Sequence, residues 1–404
     1  MTQIKGLNIA EINKGKAHFA ELIKILFIKK NEELISLLDI DNDELFLNSF
    51  IYAYCNNAEA DSKVTLEQLV YGYIPDIDKP KIIEIIFDED GVTYLPKIGY
   101  FKVIDESLKN KRCNFKYNNG DFIIEYNNVL VNATFFPLIF ADDNHQVEII
   151  QFQHPLLKDF FQVLRPDYSN QGSHCTVEVN TITSFHLDNL QKAFAFIQKN
   201  FPTIYETILA SNKYVMIFGN QAMLPFAAQN SLGVSYISSL YTDSYLFFIE
   251  EILHQGSHNL FFYMQYDKFK YFKVDAENSI LGDYLNNPNE KRTIYNVFHG
   301  VITITQRLIC YEYIIKNNLL SGIALHELIG RYCDQYRRHH AGLELLNLDD
   351  VYTSEGKKLY LEMDNLCKDA LDFFRDEAIK YNVINQPSEF NFQQYLVLNP
   401  YKIN

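Results

Sequence analysis

Two histidines, His254 and His258, are the residues of this chain best suited to metal chemistry, and they stand in the apolar stretch 243–265. Apolar residues recur there at helical spacing, with no proline and no glycine before Gly256, so we predict a helix. Positions i and i+4 lie one above the other on the same face of a helix. The pair can therefore hold one metal ion, as the two histidines of the H-E-x-x-H motif do.

The residue after the first histidine is Gln255, where the zinc-peptidase motif has a glutamate. That glutamate is the general base of these peptidases, and an uncharged glutamine cannot replace it in this role. Ordinary peptidase chemistry is therefore not the first prediction. Gln255 is instead expected to hydrogen-bond to a metal ligand or to a water molecule close to the metal.

A metal site needs a third ligand, and His299 is the best candidate. It lies in a second apolar helical pattern, about forty residues after the first pair. Two such helices that pack antiparallel would bring three histidine nitrogens onto one face of a metal ion. Glu250 and Glu251, about one turn before His254, are alternative donors of a carboxylate ligand and rank below His299.

Three protein ligands on one face would leave the other coordination positions open. Such a site suits non-haem Fe(II), although the common oxygenase triad has two histidines and a carboxylate. Arg292 precedes His299 by seven residues, about two helical turns, and is expected on a similar side. Because a guanidinium group matches a carboxylate with two hydrogen bonds, Arg292 is the candidate anchor for the far carboxylate of a 2-oxo acid.

The elements that would position these residues predict an α+β protein. Residues 1–75 have helical periodicity, whereas 80–185 is rich in strand-like runs. These runs flank an Asp-Glu-Asp-Gly turn at 88–91 and an Asn-Gly turn at Asn119-Gly120, and both arrangements predict hairpins.

The helical pattern returns from His186, interrupted by candidate strands at 214–218 and 233–239. The metal site therefore belongs to a mainly helical C-terminal half. We predict three regions, namely a substrate-recognition region at 1–185, a catalytic region at 186–385 and a tail at 386–404.

Composition limits the classes of partner. The 404 residues carry a formal net charge of −15, which disfavours sequence-independent binding to nucleic acid. The six cysteines are spread singly without a C-x-x-C pair, so neither a disulfide framework nor a zinc ribbon is predicted. No apolar run reaches the roughly 18–20 residues that cross a bilayer, and no signal peptide is recognisable. The expectation is a soluble cytoplasmic protein that binds neither nucleic acid nor membrane.

The segment His-Gln-Gly-Ser-His at 254–258, followed by Arg292 and by His-Gly-Val at 299–301, resembles a family of H-E-x-x-H-type peptide-modification proteins. Members of this family are identified as 2-oxoglutarate-dependent peptide β-hydroxylases of ribosomal natural-product pathways. The similarity covers roughly 185–365, including the helix pattern 190–208, the strand 233–239 and the segment 343–359.

This resemblance implies an Fe(II) centre held by His254, His258 and His299, with 2-oxoglutarate bound through Arg292 and with O2 as the other co-substrate. The chain departs from the family pattern in two places. Gln255 replaces the glutamate of the motif, and Asn-Glu-Lys-Arg replaces Asp-Pro-Arg-Pro around Arg292. Loss of the glutamate counts more against hydrolysis than against oxygenation.

The resulting hypothesis is hydroxylation of a side-chain β-carbon in a ribosomally made peptide, with a leader segment that would pair with a sheet edge of the N-terminal region. Two alternatives stay open. One is a zinc hydrolase in which Glu250 or Glu251 serves as the base. The other is a metal-free, degenerate peptide-binding protein. No oligomeric state is predicted.

Overall fold

The N-terminal part of the chain is helical, as its apolar periodicity predicts. The computed structural model describes residues 3–118, 121–161, 177–340, 343 and 346–402. Asn8 caps the first helix by accepting a hydrogen bond from the backbone N–H of Glu11 at 3.1 Å, a favoured arrangement for a helix start. The helices are α1 Ile9–Lys30, α2 Glu32–Ile35, α3 Asp43–Phe46, α4 Ser49–Cys55, α5 Ala60–Lys63 and α6 Leu66–Val70.

The β-rich region follows these helices. Its strands are β1 Ile83–Ile86, β2 Val92–Leu95, β3 Gly99–Val103, β4 Arg112–Asn118, β5 Asp121–Tyr126, β6 Val129–Leu130, β7 Ala133–Pro137, β8 Ile139–Phe140 and β9 Glu148–Ile149. One antiparallel sheet has the order β1-β4-β5-β6, and another has the order β2-β3-β7. The region therefore contains two small antiparallel sheets and part of a third.

Of the two predicted hairpins, one is confirmed and one is wrong. β4 pairs with β5, although their Asn119-Gly120 turn lies outside the described residues. β1 pairs with β4, whereas β2 pairs with β3, so the turn at 88–91 joins two different sheets. Asp88 accepts hydrogen bonds from the backbone N–H groups of Asp90 and Val92 at 2.9 and 2.8 Å. This turn is stabilised locally, so its flanking strands do not have to pair.

The third sheet connects the two parts of the chain. Its order is β11-β12-β10-β9-β8, and its later strands are β10 Tyr214–Phe218, β11 Phe226–Ala227 and β12 Val234–Ser238. β9 pairs in parallel with β10, with Glu148 opposite Tyr214. The strands predicted at 214–218 and 233–239 are confirmed. Residues from both sides of position 185 share this sheet, and the division into three regions stays a prediction.

The C-terminal half is mainly helical, which confirms the predicted α+β class. Its helices are α7 Asn180–Asn200, α8 Pro202–Ser211, α9 Tyr245–Met264, α10 Leu281–Leu285, α11 Ile294–Lys316, α12 Gly322–His339, α13 Ser354–Ala378 and α14 Phe392–Leu398. α9 carries the histidine pair and is buried on nearly all sides, because α1, α7, α8 and α11 pack around it. Gly15 in α1 permits the closest of these approaches, since a Cβ there would lie 1.9 Å from the carbonyl oxygen of Tyr263.

α7 begins at Asn180, six residues before the start predicted at His186. The β-branched residues Thr181, Ile182 and Thr183 favour a strand by themselves. Ile182, His186 and Leu190 are nevertheless all buried, and their spacing of four residues is that of a helix. Packing against the core therefore overrides the local preference.

The C-terminal tail packs against the preceding helices. α14 contacts α12, and the Nε2 atom of His326 lies 2.8 Å from the carbonyl oxygen of Asn399. Within the described part of the chain, no helix combines the length and the apolar character that crossing a membrane requires.

Candidate metal centre

α9 and α11 bring the three predicted histidines together. Ser244 caps α9 by accepting a hydrogen bond from the backbone N–H of Leu246 at 3.2 Å. This helix places His254 and His258 one turn apart, with ring centroids separated by 4.9 Å. The ring centroid of His299, on α11, lies 3.7 Å from that of His258.

Antiparallel packing of the two helices produces this meeting. Glu250 pairs with Arg307 at 2.9 Å, and the rings of Phe261 and Tyr295 lie 6.0 Å apart, so positions rise along α9 as they fall along α11. His299 lies between these two contacts. The ring of Tyr295 also approaches that of His299, with centroids 5.2 Å apart, and limits its orientations. The expected antiparallel packing is therefore confirmed.

The closest nitrogens belong to His258 and His299. Nδ1 of His258 is in direct contact with Nε2 of His299, and the two Nδ1 atoms are 3.1 Å apart. Burial, followed by the neighbouring histidines, holds the pKa of His258 well below its usual value. Burial lowers the pKa of His299 to about 3. Both imidazoles are therefore neutral at neutral pH, the form that binds metal.

His254 is the third nitrogen donor, and one of its ring nitrogens faces a carboxylate. Its Nδ1 atom lies 3.7 Å from a carboxylate oxygen of Glu251. Across the described residues, no group of three or more His, Cys, Asp and Glu side chains is arranged to hold a metal ion as it stands. The three nitrogen donors suit a divalent transition metal in their chemistry, and their role as ligands stays a prediction.

Gln255 occupies the position of the missing glutamate and is fully buried. Its Nε2 atom donates a hydrogen bond to Glu251 at 3.0 Å, while its Oε1 atom has no partner among the described residues. A glutamate here would place a second carboxylate against Glu251 in a buried environment, which is unfavourable. The glutamine therefore fits this neighbourhood, and its orphaned oxygen is available to a donor such as water.

Glu250, an alternative ligand or base, is already engaged. Its two oxygens accept hydrogen bonds from Arg307 at 2.9 Å and from Arg331 at 2.5 Å. Burial alone would raise the pKa of Glu250, but the two guanidinium groups outweigh it and lower this pKa to about 2. A carboxylate held in this way is a poor base, and it serves to tie α9 to α11 and α12.

A cavity of about 290 Å³ opens beside His254, and we call it the histidine cavity. The residues that matter most for its chemistry are His254, Gly300, Thr303, Arg307, Arg331 and His339. A Cβ at position 300 would meet nothing within 4 Å, so this glycine leaves open space next to His299. Arg307 and Arg331 escaped the sequence analysis. Arg307 follows His299 by eight residues and shares its helical face, a signal that could have found it.

Arg292 lies outside the lining of the histidine cavity. Its side chain is 67% exposed, and its guanidinium group donates to both carboxylate oxygens of Glu290, at 2.9 and 2.5 Å. These hydrogen bonds lower the pKa of Glu290 to about 2. Arg292 still contributes, after burial and two other arginines, to the lowered pKa of His339, which lines the cavity. Arg292 is therefore an exposed residue paired with Glu290, outside the described lining of the cavity.

Comparison of the chain with protein-family models and with curated proteins finds no match. The similarity to the H-E-x-x-H-type peptide-modification proteins therefore stays a prediction from the residues that carry it.

Proposed function

We propose that this protein is an Fe(II)- and 2-oxoglutarate-dependent oxygenase that hydroxylates a side-chain β-carbon in a ribosomally made peptide. The observation that carries the proposal is the meeting of His254, His258 and His299 beside a cavity. When bound, iron and the 2-oxo acid would supply the oxidising power for attack on an unactivated C–H bond. The chain would supply ligands, orientation and exclusion of water.

Several side chains suit these tasks. Glu251 lies beside His254, and a carboxylate next to a ligating histidine fixes its ring orientation. Phe261 and Tyr295 flank His299 and keep water from that side of the imidazole. Gly300 leaves the cavity open at the next position, where a substrate side chain would enter.

Two arginines are candidates for holding the far carboxylate of 2-oxoglutarate. Arg292 is the residue that the resemblance implies. An incoming carboxylate would replace Glu290 as the acceptor of the hydrogen bonds from its guanidinium group. Arg307 lines the histidine cavity itself, and an incoming carboxylate would compete there with Glu250. Affinity for 2-oxoglutarate in Arg292→Gln and Arg307→Gln separates them, since loss of a bidentate partner weakens binding by at least about tenfold.

The β-rich region offers a place for the peptide. β6 pairs with β5 and ends its sheet, and its two side chains, Val129 and Leu130, are 67% and 73% exposed. An extended peptide could add to this edge through main-chain hydrogen bonds. This edge supports the proposed recognition of a leader segment by region 1–185.

The alternatives differ in metal and in base. In a zinc hydrolase, Glu251 would be the base, because it lies beside His254 whereas Glu250 is bound by two arginines. In a metal-free peptide-binding protein the histidines would have no ligand role.

Metal analysis of the purified protein, followed by measurement of succinate formed from 2-oxoglutarate under air, tests the proposal. The expected result is iron-dependent succinate formation, reduced at least about tenfold in His299→Ala and unchanged in His326→Ala, a histidine far from the centre. Retained zinc without succinate formation would favour the hydrolase. Absence of both would leave the peptide-binding protein.

A further inference from the structure

A second cavity, of about 440 Å³, shares no lining residue with the histidine cavity. Four of the segments that line it each contribute one basic side chain. These are Lys16 from α1, Lys97 from the turn between β2 and β3, His145 from the turn between β8 and β9, and Lys213 just before β10. We call this the lysine cavity. Its volume is within the usual range for small-molecule sites.

The carboxylate that faces the lysines of this cavity is largely exposed to water. Glu44 lines the cavity and lies 3.7 Å from Lys213, and its side chain is 74% exposed. Neither Lys16 nor Lys97 has a carboxylate within 4.0 Å among the described residues. Burial, and then the charge of Lys213, lowers the pKa of Lys16, so two of the ammonium groups repel each other. In a chain of net charge −15, such a concentration of lysines around one cavity favours an anionic ligand.

The backbone holds two of these basic residues in an uncommon conformation. Lys97 has φ +64° and His145 has φ +56°, in the left-handed region that few residues other than glycine adopt. Gly72 packs closely against the turn that carries Lys97, since a Cβ at position 72 would lie 2.0 Å from the carbonyl oxygen of Pro96. The ammonium group of Lys97 then stands 4.1 Å from the ring centroid of Tyr73. The fold thus fixes Lys97 over the cavity.

The floor of the cavity supplies neutral hydrogen-bond donors. The hydroxyl oxygens of Tyr73 and Tyr214 both accept hydrogen bonds from the side-chain amide of Asn48, at 2.8 and 2.6 Å, so each hydroxyl group still has its own proton to donate. Glu148 is buried beneath them and accepts a hydrogen bond from Tyr94 at 2.8 Å. Burial raises the pKa of Glu148 to about 8. This carboxyl group is neutral at neutral pH and does not repel an anion.

We propose that the lysine cavity binds a small phosphate monoester. Three ammonium groups and two hydroxyl groups match the several oxygens of a phosphate dianion, and lysine binds phosphate as a point charge. The lining described here contains no arginine, the residue whose fork is matched to a carboxylate. The stacked rings of Phe140 and His145, with centroids 4.7 Å apart, provide a flat surface at the rim for the organic part of the ligand.

Isothermal titration calorimetry with inorganic phosphate, at constant ionic strength in chloride, tests this site. Lys16→Gln and Lys97→Gln are each expected to bind phosphate about tenfold more weakly than the unmodified protein, because each loses one charge-assisted hydrogen bond. Glutamine at position 97 has to adopt the same left-handed backbone conformation as lysine, at a similar cost, so the turn is preserved. Lys29→Gln removes an exposed lysine of the same helix α1 and is expected to bind phosphate normally.

Three results would overturn the proposal. They are the absence of saturable phosphate binding, equal weakening by Lys29→Gln and Lys16→Gln, and tighter binding of succinate than of phosphate. Circular dichroism of each variant verifies its folding. His299→Ala is expected to bind phosphate like the unmodified protein, and loss of binding in this variant would place phosphate at the histidines instead.

Discussion

The histidine cavity and the lysine cavity are both rich in positive charge, but they neutralise it differently. In the histidine cavity, Arg307 and Arg331 share the carboxylate of Glu250 at 2.9 and 2.5 Å. In the lysine cavity, the nearest carboxylate is 3.7 Å from Lys213, and Lys16 has no such partner within 4.0 Å in the described residues.

This difference follows from burial. A buried guanidinium group must find its counter-charge within the protein, so the arginines near the histidines are committed to holding helices together. A partly exposed lysine can rely on water until a ligand arrives. An anionic co-substrate at the proposed metal centre would therefore have to displace a carboxylate, whereas an anion at the lysine cavity would not.

The most severe test of this comparison is Glu250→Ala. It leaves two buried arginines without their shared partner, and we expect the free energy of unfolding to fall by about 3–5 kcal/mol. Glu44→Gln in the lysine cavity removes an exposed carboxylate, and we expect it to change the free energy of unfolding by less than about 0.5 kcal/mol. Urea denaturation measures both, and equal effects would contradict the comparison.

Glu148→Gln tests whether the floor of the lysine cavity is neutral. Burial raises the pKa of Glu148 from its ordinary value of 4.5 to about 8, so the folded state binds more protons than the unfolded state between these values. Stability of the unmodified protein must then fall as pH rises through this window. Glutamine has no such proton, so its advantage should grow from pH 5 to pH 8, by on the order of a few kcal/mol. An advantage that does not change with pH would show that Glu148 is ionised.

Gln255→Glu restores the glutamate of the H-E-x-x-H pattern. It would place a second carboxylate beside Glu251, and we expect a loss of about 1–3 kcal/mol at pH 7 that diminishes as pH falls and one acid is protonated. Gln255→Met, which adds no charge, should lose less and show no such recovery. Thermal unfolding across pH measures this, and a stabilised Gln255→Glu variant would mean that Glu251 is not charged.

A small stabilisation is expected for Gly300→Ala. Nothing lies within 4 Å of a Cβ at this position, so the variant should gain about 0.5–1 kcal/mol from its higher helix propensity. Gly256→Ala is the matched control in α9, where a Cβ would lie 3.3 Å from Ile208 and no gain is expected. A destabilised Gly300→Ala would show that the histidine cavity is filled at this point.

Periodicity and spacing were sufficient to predict the helices that carry the three histidines of the proposed metal centre. α9 and α11 were predicted because their apolar residues recur at helical spacing, and α9 brings His254 and His258 onto one face for the same reason. The packing of α11 against α9, with His299 inward, followed from the apolar character of both. Local pattern failed at α7, where β-branched residues suggested a strand and burial of Ile182 and His186 produced a helix.

What the sequence could not reveal is the partner of each charged side chain. Arg292 pairs with Glu290, only two residues away, although its spacing to His299 had suggested a place inside the site. Arg331 reaches Glu250 across 81 residues. Lys16 and Lys213 are almost 200 residues apart, and the packing of α1 against α8, which ends just before Lys213, brings them to one cavity.

Anaerobic titration with Fe(II) and 2-oxoglutarate tests the proposed metal centre most directly, because the chelated oxo acid has a weak visible charge-transfer band. The unmodified protein and His326→Ala should both develop this band, and His299→Ala should not. Absence of the band in the unmodified protein, or its persistence in His299→Ala, would contradict a centre held by His254, His258 and His299.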